Sequence, residues 1–350
     1  MNHTCDTTML TGLSQPKWIV ALLVVFVLCG CSQEPRLHKS TILAFGTTID
    51  LVLSDVNPHK AIDARRKLIK SFEYMHKSWH PWRPGNLSRT NELLATGVSF
   101  TVSPSLLPVI KLGQQLELSS DGLFNPAIGK LIAAWGFHRD DPENSVPPDA
   151  GVIRDLAQHQ PSMQDIHIDG FSLRCVNPMV QIDMGGYAKG YGVDLALQEL
   201  RDMGIHNAII NAGGDVRVIG QHGDRHWRVG IRNYNGDGVL ATVDVFDGEA
   251  VFTSGDYERR YTDHAKTYHH IIDPRTGFPA TETASVTVIH GDGATADAAA
   301  TALFVAGPQR WRDIAKKMGI RYVLLVDRHG QRYMTEDMKN RLQLMHNDPL

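Results

Sequence analysis

Alternating apolar and polar residues run through much of the chain and predict many short β-strands. Residues 41–53 alternate and are rich in β-branched side chains, which predicts one strand with Gly46 at its middle. Four further runs lie too close together for crossover helices between them, so we expect a largely antiparallel sheet. These runs are 227–231, 240–245, 250–253 and 268–274. Two later strands are predicted at 285–290 and 321–326.

Other segments repeat apolar residues at helical spacing and predict helices that pack on this sheet. Residues 61–75 form one such segment, and its predicted core positions are Ile62, Leu68, Ile69, Phe72 and Met75. Ser103 and Pro104 are the expected N-cap and first residue of a helix that ends near Leu118. Further helices are predicted at 187–203, 294–304 and 309–318, and a hairpin turning at Asp169-Gly170 is predicted within 165–176. The fold class is therefore α/β, of the α+β kind.

The N-terminal segment has the pattern of a bacterial lipoprotein signal. An apolar run at 18–28 follows Lys17 and is shorter than the ~20 residues that span a bilayer. The next residues, LCGC at 28–31, resemble a lipobox in which the thiol of Cys31 receives lipid. We therefore predict a signal peptide at 1–31, a linker at 32–40 and one domain at 41–345. A buried apolar helix is the alternative, and the polar stretch after the run disfavours it.

Charge and cysteine content limit the possible partners. Lys and Arg total 35 and Asp and Glu total 38, giving a net charge of -3. Because basic residues are not in excess, the composition does not suggest nucleic acid as a partner. Of the four cysteines, Cys5 and Cys29 leave with the predicted signal and Cys31 carries lipid, so Cys175 has no partner for an intramolecular disulfide.

The stretch QIDMGGYAKG at 181–190 is the first candidate for chemistry. Asp183 ends a predicted strand, two glycines form a bend, and Lys189 opens a predicted helix. Glycines let a backbone approach a ligand closely, and a helix N-terminus offers N–H groups to phosphate. The stretch is neither a P-loop nor a dinucleotide fingerprint. An ordinary strand-to-helix turn capped by the aspartate is the alternative.

Asp297 and Thr301 form a second candidate on a predicted alanine-rich helix. Residues four apart share a helix face, so the carboxylate and hydroxyl can point toward one hard cation. Few carboxylates and several waters or phosphates are typical of Mg²⁺ sites. A solvated helix face is the alternative.

Histidines near residue 270 suggest a base and argue against zinc. His269 and His270 are adjacent in a predicted strand and so point to opposite faces, and their spacing from His264 fits no zinc motif. His270 can serve as a general base, with Asp273 as the residue that orients it. A strand histidine satisfied by a backbone carbonyl is the alternative.

Several short motifs follow one another along the chain. They are FGT (45–47), WRP (82–84), LSR (87–89), GLFNP (122–126), WGF (135–137), IDMGG (182–186), AKG (188–190), NAGGD (211–215), TSGDY (253–257), HIIDP (270–274) and the stretch 296–301. Taken together and in this order, they resemble the flavin transferases of the ApbE family, which move FMN from FAD onto a protein hydroxyl. The resemblance covers most of the chain after residue 40. It implies an ApbE-like fold in which FAD lies between a nucleotide-binding sheet and a smaller helical part.

The resemblance also implies a set of site residues. Mg²⁺ is expected on Asp297, Thr301 and the backbone carbonyl of Gly186. Contacts to FAD are expected from Phe45, Trp82, Leu123, Phe124, Asn125, Asp183, Lys189 and Ile272. Phe45 and Trp82 stand where methionine and tyrosine are frequent in the family and keep an apolar or aromatic surface. Asn125 stands where aspartate is usual, so one charged contact is lost.

The implied reaction is attack of a threonine or serine hydroxyl of an acceptor protein on the FMN-side phosphorus of FAD, with release of AMP. His270 or Asp273 is the expected proton acceptor. The expected acceptors are subunits of membrane redox complexes, and the expected location is the periplasmic side of a bacterial membrane, with the inner membrane as the expected site of the anchor. Two alternatives stay open: an FAD pyrophosphatase that uses water, and a lipid-anchored flavin-binding protein without chemistry.

Overall fold

The computed structural model describes residues 36–139, 141–235 and 238–345. Cys31 and the predicted signal peptide lie outside these residues. The compact unit begins at Arg36, and its first strand begins at Leu37. The segment 37–40 therefore belongs to the domain and not to the predicted linker. Within the described ranges, every helix is too short or too polar to cross a membrane.

The centre of the fold is an eight-stranded sheet in which every pair of neighbours is antiparallel, as the strand pattern predicts. In spatial order its strands are β1 (Leu37–Ala44), β2 (Thr47–Ser54), β6 (Ala208–Ala212), β7 (Asp215–Ile219), β10 (Ala250–Gly255), β13 (Thr283–His290), β14 (Tyr322–Asp327) and β15 (Arg332–Met334). Strands adjacent in space are joined by short turns in several places, because an antiparallel pair needs no crossover.

Three smaller antiparallel sheets complete the strand set. The first contains β3 (Phe100–Thr101), β5 (Ser172–Cys175) and β4 (Ile166–Asp169). The second contains β16 (Gln343–Leu344), β9 (Val239–Val245) and β8 (Trp227–Arg232), and it packs on the central sheet through a cluster of buried valines and leucines. The third is the ribbon of β11 (Arg260–Asp263) and β12 (Lys266–His269). The hairpin predicted at 165–176 is the β4–β5 pair, whose turn lies at Gly170-Phe171.

The predicted helices are present with shifted ends, and further short helices accompany them. They are α1 (Pro58–Trp79), α2 (Asn86–Leu94), α3 (Leu107–Ser119), α4 (Gly129–Ala134), α5 (Ala150–Gln158), α6 (Ala188–Asp202), α7 (Gly293–Lys317) and α8 (Glu336–Lys339), with a 3₁₀ turn at Met163–Asp165. A break at Gly307 and Pro308 divides α7 into two segments, which are the two predicted helices 294–304 and 309–318. Buried residues of α1, α2, α3 and α6 share one hydrophobic core with the central sheet.

The prediction of one strand over 41–53 is wrong. The chain turns at Phe45-Gly46 and forms β1 and β2, with Ala44 paired to Thr47. Both turn residues have positive φ, 52° at Phe45 and 72° at Gly46. A two-residue hairpin turn needs this conformation at both positions, and glycine adopts it readily. The apolar alternation continues through the turn, so the sequence reads as one strand.

Two helix predictions also need correction. Ile62 is 56% exposed on α1, whereas the neighbouring Ala61 faces the core, because the buried face of this helix is offset by one residue. Helix α3 begins at Leu107 and not at Ser103. Ser103 instead closes a turn by accepting the N–H of Leu106 at 2.9 Å. The proline pattern there therefore marks a turn before the helix.

Helices α6 and α7 cross closely beside the central sheet, and this crossing positions the candidate site. A Cβ at Gly190 would overlap the carbonyl of Gly293, and one at Gly293 would lie 2.7 Å from the Asp194 carboxylate. Side chains at either glycine would push the helices apart, since packed backbone cannot move aside cheaply. The Lys189-Gly190 end of α6 therefore lies directly beside the first turn of α7.

Candidate active site

The turn before α6 is held by Asp183 rather than by a strand. Gln181 makes a single bridge to Ile128, so the predicted strand at this point is wrong. Asp183 Oδ1 accepts the N–H of Gly185 at 2.7 Å, which is the capped turn that the sequence left as an alternative. Burial raises the pKa of Asp183, while this N–H, the nearby Arg259 and a hydrogen bond from Trp82 act in the opposite direction.

Lys189 forms an ion pair with Asp215 at the start of α6. Asp215 is 3% exposed and also accepts the N–H of Thr253 at 2.8 Å. Burial disfavours the charged form of Lys189, but the carboxylates of Asp215, Asp297 and Glu258 outweigh it and hold the pKa of Lys189 above its usual value. Lys189 is therefore charged, and its ammonium group faces these carboxylates inside the protein.

Asp297 lies on the first turns of α7 and is buried against α6. Its Oδ2 accepts the N–H of Gly190 at 3.0 Å, and no described residue hydrogen-bonds its Oδ1. Burial raises the pKa of Asp297 to about 7 against the pull of Lys189, with Asp215 and Glu258 adding to the rise. A bound cation next to such a buried carboxylate would favour its charged form.

Thr301 and Gly186 lie beside Asp297 at the same crossing. Thr301 is one helical turn beyond Asp297, and its Oγ1 is 3.1 Å from Ser254 Oγ. A Cβ at Gly186 would lie 3.7 Å from Thr301 Oγ1 and 2.9 Å from the ring of Phe124. The structure thus brings the Gly186 backbone to the Thr301 hydroxyl, and glycine is needed because the Phe124 ring fills the remaining space.

Three acidic side chains lie near Lys189. Asp215, Glu258 and Asp297 all act on the one ammonium, and Arg232 is a second cation near Glu258. Glu258 is exposed at the rim, yet surrounding atoms desolvate its carboxylate and raise its pKa to about 7. No three His, Cys, Asp or Glu side chains in the described ranges are grouped to share one metal ion. A cation here would need oxygens from hydroxyl, backbone, water or phosphate, which suits a hard divalent ion.

The sequence predicts a phosphate site at the α6 N-terminus, but several backbone N–H groups there already donate to protein acceptors. Met184 O accepts the N–H groups of Tyr187 and Ala188 at 3.1 and 2.8 Å. The N–H of Gly190 is bonded to Asp297. The helix end therefore fixes Asp297, a different role from the one that the glycine pattern suggests.

His270 and Asp273 do not form the predicted base and orienting pair. His270 Nδ1 lies 3.3 Å from the carbonyl oxygen of Arg259, and burial together with the Arg259 charge lowers the pKa of His270 to about 3. Asp273 instead binds Arg275, accepting Nε at 2.9 Å and Nη2 at 2.7 Å. Because the carboxylate faces its own turn, the Arg259 carbonyl is the group that orients His270.

The adjacent His269 is structural and gives a pH-dependent contribution to stability. It is buried, its Nε2 lies 2.7 Å from Ala280 O, and its Nδ1 accepts the N–H of Ile271 at 3.3 Å. Burial lowers the pKa of His269 to about 4, whereas an unfolded histidine has a pKa of ~6.5. At a pH between these two values, this histidine therefore binds a proton in the unfolded chain and stays unprotonated in the folded protein.

We expect this histidine to lower the free energy of unfolding by about 1–2 kcal/mol as pH falls from 6.5 to 4.5. Urea unfolding of the wild type and of His269→Gln at both pH values measures the contribution by difference, which cancels the other titrating groups. The variant is expected to lose less stability than the wild type over this interval. Equal losses in the two proteins would contradict the assignment.

The aromatic residues predicted to contact a flavin lie on elements around the site. Phe45 packs on α6 at Gly192 and stacks with Trp79 at 6.1 Å between ring centroids. Trp82 is half-buried and hydrogen-bonds Asp183. Phe124 packs edge-on to Tyr187 and against Gly186. Trp82 and Phe124 therefore border the 183–190 turn directly.

The other three predicted contact residues support the site from within the fold. Asn125 donates to Pro161 O and accepts the N–H of Ala127, both at 2.8 Å, so its amide is engaged at both ends. Leu123 is buried in the main core. Ile272 lies in a separate cluster around Trp135 and pairs with Pro279. Their side chains shape the loops that carry them.

Four residues of this site were not among the predicted site residues. Asp215 and Ser254 lie inside the motifs NAGGD and TSGDY, while Glu258 and Arg259 immediately follow the second motif. A glycine pair after an apolar strand is a hairpin signal, and it could have placed Asp215 at the start of β7. Only the fold shows that this hairpin brings Asp215 to Lys189.

Comparisons with known proteins identify one family. A family model described as the ApbE family matches residues 45–324. An FAD:protein FMN transferase of Rhodobacter capsulatus is 44% identical over 333 residues, which are 95% of this chain and 63% of that relative's length. An FAD:protein FMN transferase of Vibrio cholerae is 28% identical over 315 residues, covering 89% of this chain and 93% of the relative.

Solved structures show the same fold. The ApbE protein of Thermotoga maritima has a TM-score of 0.80 and 30% identity, covering 87% of this chain and 99% of that chain. A flavin transferase ApbE of Vibrio cholerae has a TM-score of 0.75 and 27% identity, covering 88% and 99%. The mixed α/β architecture with a large antiparallel sheet is therefore shared with these proteins.

Proposed function

The chain belongs to the ApbE family, and on this premise we propose that it is an FAD:protein FMN transferase, which moves FMN from FAD to a hydroxyl of another protein. The proposal is supported most by the buried Asp297 carboxylate, which binds Gly190 N–H where α6 and α7 cross, one helical turn from the Thr301 hydroxyl that lies near Gly186. A protein that only stored a flavin would have no need for this desolvated acid.

We propose Mg²⁺ as the metal, held by Asp297, Thr301 and the Gly186 carbonyl. The donor set fits, because Asp297 has a raised pKa and one oxygen that no described residue hydrogen-bonds, and the Thr301 hydroxyl is on the same side of the helix. When bound, Mg²⁺ supplies neutralisation of the pyrophosphate charge and stabilises the leaving phosphate. The few protein ligands leave room for water and phosphate oxygens.

The chain's own residues have three further tasks in the proposed reaction. Lys189 forms an ion pair with Asp215, and its charge favours the ionised form of Asp297. Asp183, with Trp82 on its carboxylate, fixes the turn that carries Gly186. Phe45, Trp82 and Phe124 provide aromatic surface for a ring system near this turn.

His270 is the better of the two proposed proton acceptors. If Nδ1–H donates to Arg259 O, the Nε2 lone pair of the neutral imidazole can accept the proton of the attacking hydroxyl. Asp273 has both carboxylate oxygens on Arg275 and is less suited to this role. The hydroxyl oxygen forms its bond to the FMN-side phosphorus while the bond to the AMP oxygen breaks.

The proposed acceptor is a threonine or serine of a subunit of a membrane redox complex. The lipobox-like sequence at 28–31 supports a lipid anchor on Cys31 and a location on the periplasmic side of a bacterial membrane, for which we propose the inner membrane. An anchored enzyme would be held near acceptors in the same membrane.

The test is intact mass of an acceptor domain that carries a candidate threonine, after incubation with the full chain in detergent, FAD and Mg²⁺. We expect the acceptor to gain one FMN less one water, and a chelator to prevent the gain. FAD consumed without a change in acceptor mass would favour a pyrophosphatase. Intact FAD and unchanged acceptor would favour a flavin-binding protein.

A further inference from the structure

A buried carboxylate outside the proposed metal site joins the two helices that build it. Asp194 lies on α6, one turn beyond Gly190, and its side chain is 16% exposed. Its Oδ2 accepts the N–H groups of Gly293 and Ala294 at 2.9 and 3.1 Å, and its Oδ1 lies 3.0 Å from the same Gly293 N–H. These are the first two N–H groups of α7, which have no partner within that helix.

Arg217 holds this carboxylate from the central sheet. The guanidinium Nε lies 2.5 Å from Asp194 Oδ1, and its Nη1 donates to the carbonyls of Gly248 and Gly291 at 2.8 and 2.9 Å. The arginine side chain is only 10% exposed. One ion pair therefore connects α6, the start of α7 and strand β7.

The same helix pair makes a second contact at the metal site itself. Gly190 N–H donates to Asp297 Oδ2 at 3.0 Å, one turn along α7 from the Asp194 contact. Two contacts one turn apart on each helix fix both the rotation and the translation of α7 relative to α6. Because Gly186 precedes α6 and Thr301 lies on α7, this register decides whether their oxygens meet.

We propose that Asp194, held by Arg217, is a positioning residue that sets α7 on α6 so that Asp297 and Thr301 face Gly186. This inference rests on the proposed function and adds a residue that touches neither metal nor substrate. An acceptor for the helix N–H groups is also a general stabilising device, so the positioning role must be separated from stability.

Asp292 is a matched control in the same helix. It is the N-cap of α7, and its Oδ1 accepts the N–H of Thr295 at 2.7 Å. In contrast to Asp194, it caps α7 from within its own chain segment and does not bond α6. Replacing it weakens the α7 N-terminus and leaves the contact between the two helices in place.

The experiment compares full-length wild type, Asp194→Asn and Asp292→Ala in Mn²⁺ binding, followed by the EPR signal of free Mn²⁺ in the absence of FAD. An asparagine side chain has one acceptor oxygen and a carboxylate has two, so Asp194→Asn weakens the hydrogen bonds from the N–H groups of Gly293 and Ala294. We expect Mn²⁺ affinity to fall about tenfold in Asp194→Asn, as is typical when a group that orients a metal ligand is lost. Asp292→Ala is expected to stay within about twofold of the wild type while losing a similar amount of thermal stability, because alanine cannot cap the helix.

A second variant covers the case in which an uncompensated Arg217 prevents Asp194→Asn from folding. Asp194→Asn combined with Arg217→Met removes both charges of the pair and is expected to show the same loss of Mn²⁺ affinity. Equal affinities in the Asp194 and Asp292 variants would overturn the positioning role. If the wild type itself binds no Mn²⁺, the proposed metal site fails first, and the inference falls with it.

Discussion

Replacing Asp297 with asparagine is expected to lower the rate of FMN transfer by about 10²–10³-fold at saturating FAD. The amide can still accept the Gly190 N–H, so the α6–α7 contact is kept. It cannot supply the negative charge that the proposed Mg²⁺ needs, in a pocket where burial already opposes charge. Initial rates from the acceptor mass assay, measured over a range of Mg²⁺ concentrations, report both the rate and the apparent metal affinity.

Asp149→Asn is the control for this change. Asp149 is the N-cap of α5 and, like Asp297, accepts a backbone N–H, here that of Gly151 at 2.7 Å. It lies outside the proposed machinery, so its rate is expected to match that of the wild type. A rate for Asp297→Asn close to that of the control at saturating Mg²⁺ would show that this carboxylate is not the metal ligand.

Local patterns were enough to find the segments that meet in the site. The glycine bend at Gly185 and Gly186 and the four-residue spacing of Asp297 and Thr301 are properties of short stretches, and the fold brings them together. The antiparallel character of the sheet also followed from strand spacing. Such features depend on neighbours in sequence, which periodicity describes well.

Contacts between distant segments could not be predicted in the same way. Lys189 meets Asp215 only because the hairpin of β6 and β7 returns beside α6, and Asp194 meets the start of α7 about a hundred residues later. The orientation of His270 was mistaken for a related reason. Asp273, three residues away, had a closer partner in Arg275, and the carbonyl that binds His270 came from the preceding strand region.

Replacing Lys189 with methionine is expected to lower the free energy of unfolding by about 3 kcal/mol. Methionine keeps the length and apolar character of the side chain, so the loss is mainly that of the charge. The buried Asp215 carboxylate would then keep only its hydrogen bond from the Thr253 N–H. Asp297 would lose the nearby positive charge that favours its ionised form. Urea unfolding at pH 7.5 without Mg²⁺ measures the effect, because a bound metal would compensate part of the lost charge.

Arg228→Met breaks an ion pair at the surface and is the matched control. Arg228 Nε lies 2.7 Å from Asp244, and the two side chains are 57% and 34% exposed. Water solvates the partner that remains, so the expected loss is only ~0–1 kcal/mol. A second substitution, Asp215→Leu in the Lys189→Met background, should recover part of the stability, because it removes the stranded carboxylate. Equal losses for Lys189→Met and Arg228→Met would mean that water solvates the buried carboxylates near Lys189 better than their burial indicates. The argument that Asp297 needs a bound cation would then be weaker.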